Sequence, residues 1–140
     1  MTSFLSPLLR SRAIDHVLEN VSTRCVVASR LLTAFDSASR RQGLLGRDGL
    51  PADSALIIAP SNAVHTFFMR FPIDILFVGR DGRVIKVRST VRPWRMTAAL
   101  RAFAVIELPA GSLARSTTAA GDSLICRPAH RSDHSLSTDG

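Results

Sequence analysis

The strongest local constraint in this chain is the run Ile75-Leu76-Phe77-Val78-Gly79-Arg80-Asp81-Gly82-Arg83-Val84-Ile85-Lys86-Val87. Two strand-forming stretches flank a four-residue turn containing Asp81-Gly82, and the glycine accepts the positive φ that such a turn demands. An antiparallel hairpin is expected here. On its returning strand Lys86 and Arg88 fall on one face and Ile85 and Val87 on the other, as a half-solvated strand requires.

Other segments read the same way. Residues 25–35 form a first strand, Ala55–Ala59 a second stopped by Pro60, and Val64–Met69 and Ile73–Val78 two more separated at Phe71-Pro72. Phe103–Leu108 and Ser123–Arg127 supply the last strands, broken at Pro109-Ala110-Gly111 and Gly121-Asp122. One helix is convincing: Ser37–Leu45, with Asp36 as its N-cap and Gly46 near its end. The expected fold is mainly β, a compact closed barrel or sandwich of about seven short antiparallel strands with one or two short helices. A βαβ arrangement lacks the helices it would need. The domain is expected over residues 23–128, after a flexible or weakly helical arm (1–22) in which Ala13–Asn20 forms two helical turns. Residues 129–140 are Ser-, Asp- and His-rich and read as a disordered tail.

Composition narrows the function classes. With 140 residues, 46% of them hydrophobic, the chain suits one globular domain and excludes a repeat array or a disulfide-stapled miniprotein. No stretch approaches the roughly 20 apolar residues of a spanning helix. The opening MTSFLSPLLRSR has its charge after a short apolar part, the reverse of a secretory leader. Cys25 and Cys126 lie in apolar runs and read as buried free thiols, which favours the cytoplasm. The net charge of +7 is concentrated. Arg80, Arg83, Lys86, Arg88, Arg92, Arg95 and Arg101 face only Asp81, so residues 80–101 carry +6. This is either a solvated strand face or a patch for phosphates. Binding of single strands calls for exposed aromatics beside the arginines, and Trp94, in RPWRM, is the one that answers.

Three polar residues sit against the local pattern. Asp74 lies in FPIDILFV, Glu107 in FAVIELPAG and His65 in VHTFFM. A carboxylate buried among strand residues has to be hydrogen-bonded, paired or functional. Converging, the three could form a metal site or an acid–base pair. Structural roles are the alternative: Asp74 capping the turn at Pro72 or pairing with Arg41, and Glu107 tying down the Pro109–Gly111 turn. Strand alternation sends His65, Phe67 and Met69 to one face and Thr66 and Phe68 to the other. That cluster reads as core, or as a rim where His65 and Met69 meet a small ligand. No phosphate-cradling loop, nucleophile elbow or close-spaced metal-ligand pair is present.

In order, the chain shows Arg41-x-Gly43-Leu44-x-Gly46-Arg47, His65-Thr66-Phe67-Phe68-Met69, Ile73-Asp74-Ile75-Leu76-Phe77, Pro93, and Leu108-Pro109-Ala110-Gly111 before Gly121-Asp122. This series resembles the family of domain of unknown function 192, over about residues 25–127. The resemblance implies a compact, mostly β domain and no established catalytic activity. It singles out Arg41, Gly43, His65, Met69, Asp74, Glu107, Gly111 and Gly121. Relatives with a secretory leader and a Trp before the Met of the second block point to the envelope; here Phe68 fills that place.

Three functions are expected, in order. The first is a non-enzymatic binding or accessory module, with a site on a sheet face or barrel mouth drawn from Arg41, His65, Met69, Asp74, Trp94 and Glu107. Its ligand would be a small molecule or a protein segment, and no cofactor or metal is expected. The second is a hydrolase using His65, Asp74 and Glu107, with or without a metal; carboxylates on opposite sides of the sheet would end it. The third is nucleic-acid binding through Arg80–Arg101.

Overall fold

The computed structural model describes residues 3–10 and 15–135. Along them run α1 (Ser6–Arg10), β1 (His16–Asn20), β2 (Cys25–Ala28), β3 (Arg30–Ala34), α2 (Ser37–Gln42), β4 (Ser54–Ile58) and β5 (Ala63–His65). There follow β6 (Ile73–Val78), β7 (Val84–Val91), β8 (Met96–Ala98), β9 (Ala104–Pro109), α3 (Ser112–Ser116), β10 (Leu124–Pro128) and α4 (Arg131–Ser135). The protein is mainly β.

The expected hairpin forms, between β6 and β7. Gly82 has φ +90°, and a Cβ there would collide with the Leu124 carbonyl oxygen. The turn is pinned from outside, because Leu124 N–H donates to that glycine's carbonyl at 2.8 Å. This hairpin edges a five-stranded sheet of order β3-β4-β9-β6-β7. A three-stranded sheet (β10-β1-β2) and a two-stranded ribbon (β5-β8) complete the fold.

Several expectations are corrected. The described residues hold ten strands, not about seven, and no barrel closes. The strands are not all antiparallel: β3 and β4 run parallel. A parallel pair needs a crossover of about a dozen residues or more, and the segment from α2 to Asp53 supplies one, so a single βαβ unit is present after all. His16–Asn20 is a strand between β10 and β2, not helical; residues 13 and 14 lie outside the described ones. Its Val17 and Leu18 are fully buried, and Asn20 Nδ2 donates to Asp122 at 2.9 Å. The arm also places Phe4 and Leu5 in the core. At the other end α4 stands where composition pointed to disorder. Arg127 reaches Asp133 through Nη1 and Nη2, both at 3.0 Å, and holds its carboxyl down at about 2. Residues 136–140 lie outside the described ones. Both cysteines are free; Cys126 is buried, which pushes its thiol up to about 12, and Cys25 is half-buried.

Both faces of the five-stranded sheet are covered. One packs Leu76, Ile106 and Leu108 against Leu18, Val27 and Leu124 of the three-stranded sheet and Leu113 of α3. The other packs Ile75, Phe77 and Val105 under Leu44, Met69, Val64 and Ala99, so α2, the loops and the ribbon roof it.

Candidate functional site: an exposed aromatic ladder on a ribbon

Asp74 and Glu107 lie on neighbouring strands but face opposite ways. Glu107 is paired with Ile75, and Asp74 with Leu108; successive residues of a strand alternate faces. Asp74 is 1% exposed. Its Oδ1 accepts from Thr90 N–H at 2.8 Å, and its Oδ2 accepts from Gly111 N–H at 3.1 Å and Leu113 N–H at 3.0 Å. It fastens the start of α3 and an irregular stretch of β7 where Thr90 takes φ +49°. Both of its oxygens are committed to backbone. Glu107 is 2% exposed, and among the described residues its Oε2 has no hydrogen-bond partner. Burial pushes its carboxyl up to about 7. Above it sits Gly43, the C-cap of α2, whose φ is +50°. A Cβ there would rest 3.9 Å from both carboxyl oxygens.

The role expected of Glu107 falls to Asp74, which ties down the turn at Gly111. Arg41 does not bridge to Asp74; its Nε donates to the Ser37 carbonyl at 3.3 Å. His65, Asp74 and Glu107 do not converge, and among the described residues no three His, Cys, Asp or Glu side chains cluster as metal ligands.

His65 belongs instead to a ladder of rings. It stacks on Phe67 (centroids 5.0 Å apart), Phe67 on Trp94 (5.9 Å), and Trp94 meets Phe68 at 4.6 Å. Phe68 and Met96 are each 72% exposed and Trp94 56%. Met96 lies directly opposite His65 across the β5–β8 ribbon. The strand expected over Val64–Met69 ends at His65, because Thr66 starts a turn: Met69 N–H donates to the Thr66 carbonyl at 3.2 Å. That turn puts Met69 into the core, the first of the two readings open to it, and turns Phe68 outward. Phe68 takes φ +64° and Trp94 φ +67°, a region that bulky residues rarely enter.

Thr66, which sequence reasoning passed over, holds the two halves together. It is 1% exposed. Its hydroxyl donates to the Arg92 carbonyl at 2.7 Å and accepts from Arg95 N–H at 2.9 Å. Its own N–H donates to the Arg95 carbonyl and its carbonyl accepts from Trp94 N–H, at 2.8 and 3.0 Å. Phe68 and Met96 were missed as well, since alternation cannot anticipate a turn inside an aromatic run. A threonine beside consecutive phenylalanines was the available signal.

The basic stretch divides. Lys86 is structural: its Nζ donates to the Ala98 carbonyl at 2.8 Å, tying β7 to the ribbon. Arg83 makes a backbone bridge to Ser123. Arg88, Arg92, Arg95 and Arg101 are exposed, and among the described residues none of the seven basic side chains forms a salt bridge. Arg80 lays its guanidinium over Phe103, 4.1 Å from the ring centroid. With Arg101, Ser61 and Asn62 it lines an open cleft of about 500 Å³ at the far end of the ribbon.

Fold and site together define a mainly β module that opens a ring-lined surface on one face. The chain belongs to the family DUF192, described as "Uncharacterized ACR", whose pattern matches residues 18–126. No functionally curated protein matches it. Among solved structures it is similar to a protein of unknown function from Novosphingobium aromaticivorans DSM 12444, with 26% identity and a TM-score of 0.68 over 79% of this chain and 82% of that one. It also shares its fold with "a putative transcription regulator" from Sinorhizobium meliloti 1021, at 22% identity and a TM-score of 0.69 over 79% of this chain and 91% of that one. Among the described residues no helix is long and apolar enough to cross a membrane.

Proposed function

We propose that the protein is a non-enzymatic binding module whose site is the ladder His65–Phe67–Trp94–Phe68, taking a ligand with a flat face. One observation carries this reading: two large aromatic residues are held in left-handed backbone with their rings in solvent. Such backbone costs on the order of 1–3 kcal/mol per residue and persists where surrounding structure imposes it, as at binding sites. Burial of the rings does not offset that cost here, since both remain more than half exposed. The hydrolase alternative loses its constellation, because Asp74 and Glu107 lie on opposite faces of the sheet.

Trp94 is the chain's only tryptophan, so its fluorescence reports on the site alone. Titration with adenosine and with a neutral oligosaccharide, cellohexaose, is expected to give a saturable change with at least one of them. Phe68→Asn should abolish that change. Unaltered emission with both probes and with a short oligothymidylate removes the reading.

A further inference from the structure

The ribbon has two ends with different chemistry. At one stand the stacked rings of Phe67, Trp94 and Phe68, with Arg92 and Arg95 on either side of the Trp94-containing loop. At the other is the cleft between Arg80 and Arg101. The connection is direct, because β5 runs from Asn62 toward Phe67 while β8 runs from Trp94 toward Arg101. The ribbon between them is three residue pairs long, about 10 Å at 3.4 Å per residue, and the rings and the cleft lie just beyond its two ends. A flexible strand of a few nucleotides spans that distance.

Resting on the reading of the ladder as a binding platform, we propose that its ligand is single-stranded nucleic acid, with a base stacked on Trp94 and Phe68 and a backbone phosphate held in the Arg80–Arg101 cleft. Charge and ring geometry each select this class. Arg92 and Arg95 flank Trp94 in sequence and Arg80 and Arg101 line the cleft, and among the described residues none of these four side chains forms a salt bridge. A neutral sugar explains the rings and leaves the arginines unused. A duplex explains the arginines, but its bases are already stacked and present no π-face to Trp94. Aromatic side chains flanked by a basic groove are the general means of holding unpaired bases. Arg80 is suited to the phosphate: one face of its guanidinium lies on Phe103, which leaves the in-plane N–H groups to donate.

The test is anisotropy of a labelled short oligothymidylate titrated with the full chain, alongside a duplex of equal length. Binding of the single strand is expected to be tighter than that of the duplex and to weaken steeply with salt. Arg80→Gln and Arg101→Gln should each reduce the slope of log affinity against log salt by about 0.7, the value for one phosphate on a single strand. Trp94→Asn, which tolerates the left-handed backbone, should weaken binding at least fivefold, about the loss of one stacked base. The arginine variants lie on the surface and serve if that variant does not fold. Absence of binding at about 100 µM, the weak end of electrostatic affinity for nucleic acid, overturns the proposal, as does a preference for duplex. Trp94 emission that answers to adenosine or cellohexaose with no oligothymidylate binding removes the nucleic acid and keeps the platform. Silence toward all probes removes both. Association of the chain with itself through the exposed rings, seen by light scattering and lost in Phe68→Asn, also overturns the proposal.

Discussion

The two faces of the five-stranded sheet carry one buried carboxyl each, and they are built to different standards. On the first face Asp74 accepts three backbone N–H groups, and the left-handed backbone at Thr90 is held by one of those bonds. On the second, Glu107 has an unpartnered buried oxygen, Gly43 roofs it at φ +50°, and the ribbon beyond holds Phe68 and Trp94 at φ +64° and +67°. Departures from local rules accumulate at functional sites, because elsewhere nothing favours their retention. The contrast separates a face that holds the fold from a face that presents a surface.

Asp74→Ala tests the first face and carries the largest expected effect. It leaves three N–H groups without an acceptor, each worth on the order of 1–3 kcal/mol when buried. A loss of about 4 kcal/mol is expected by urea unfolding at pH 7. Asp74→Asn, which keeps one acceptor oxygen, should lose about half as much. A change below about 1 kcal/mol would mean the three bonds contribute no more than surface contacts.

Glu107 tests the second face through pH. Its folded carboxyl titrates at about 7 against an ordinary value of 4.5. Below pH 4.5 it is protonated whether folded or unfolded. Between 4.5 and 7 the unfolded chain gives up the proton while the folded chain keeps it. Stability therefore falls as pH rises through that window, by on the order of 3 kcal/mol in all. Glu107→Gln should abolish this component and be the more stable protein at pH 8. Parallel pH profiles for variant and parent, followed by chemical denaturation, would show that the carboxyl is solvated.

Gly43→Ala separates the roof from the carboxyl beneath it. The added Cβ meets Glu107 only at ordinary contact distance, so the cost comes from the backbone, about 1–2 kcal/mol for alanine at positive φ. Combining it with Glu107→Gln should give a change equal to the sum of the two single changes. Coupling above about 0.5 kcal/mol would place the two in one unit.

How far the sequence disclosed this molecule follows from the same contrast. The β6–β7 hairpin, the Asp36 cap and the strands through Ala55–Ala59 and Phe103–Leu108 were legible because propensity, turn chemistry and burial agree there. Strand β1 was not: HVLEN is short and polar at both ends, and it is strand because β10 and β2 flank it. Asp74 and Glu107 were legible as anomalies, but which one was satisfied depended on where α3 begins, a long-range fact. Trp94 and His65 were legible as candidates. Thr66 and Phe68 were read onto one face, and the structure buries the first and exposes the second, because a turn within an aromatic run leaves no trace in a period-two pattern.

The smallest expected effect is the most discriminating. Phe68→Asn removes an exposed ring and relieves a left-handed backbone that asparagine accepts readily. The ring's contact with Trp94 is worth about 0.5–1.5 kcal/mol, and the strain it imposes about 1–3 kcal/mol. The variant should gain on the order of 0.5–1 kcal/mol in stability while losing its ligand-dependent Trp94 signal, the opposed signs that mark a residue kept for binding. A stability loss of similar size would place the ring among the groups that hold the ribbon together, and the second face would then differ from the first only in how loosely it is built.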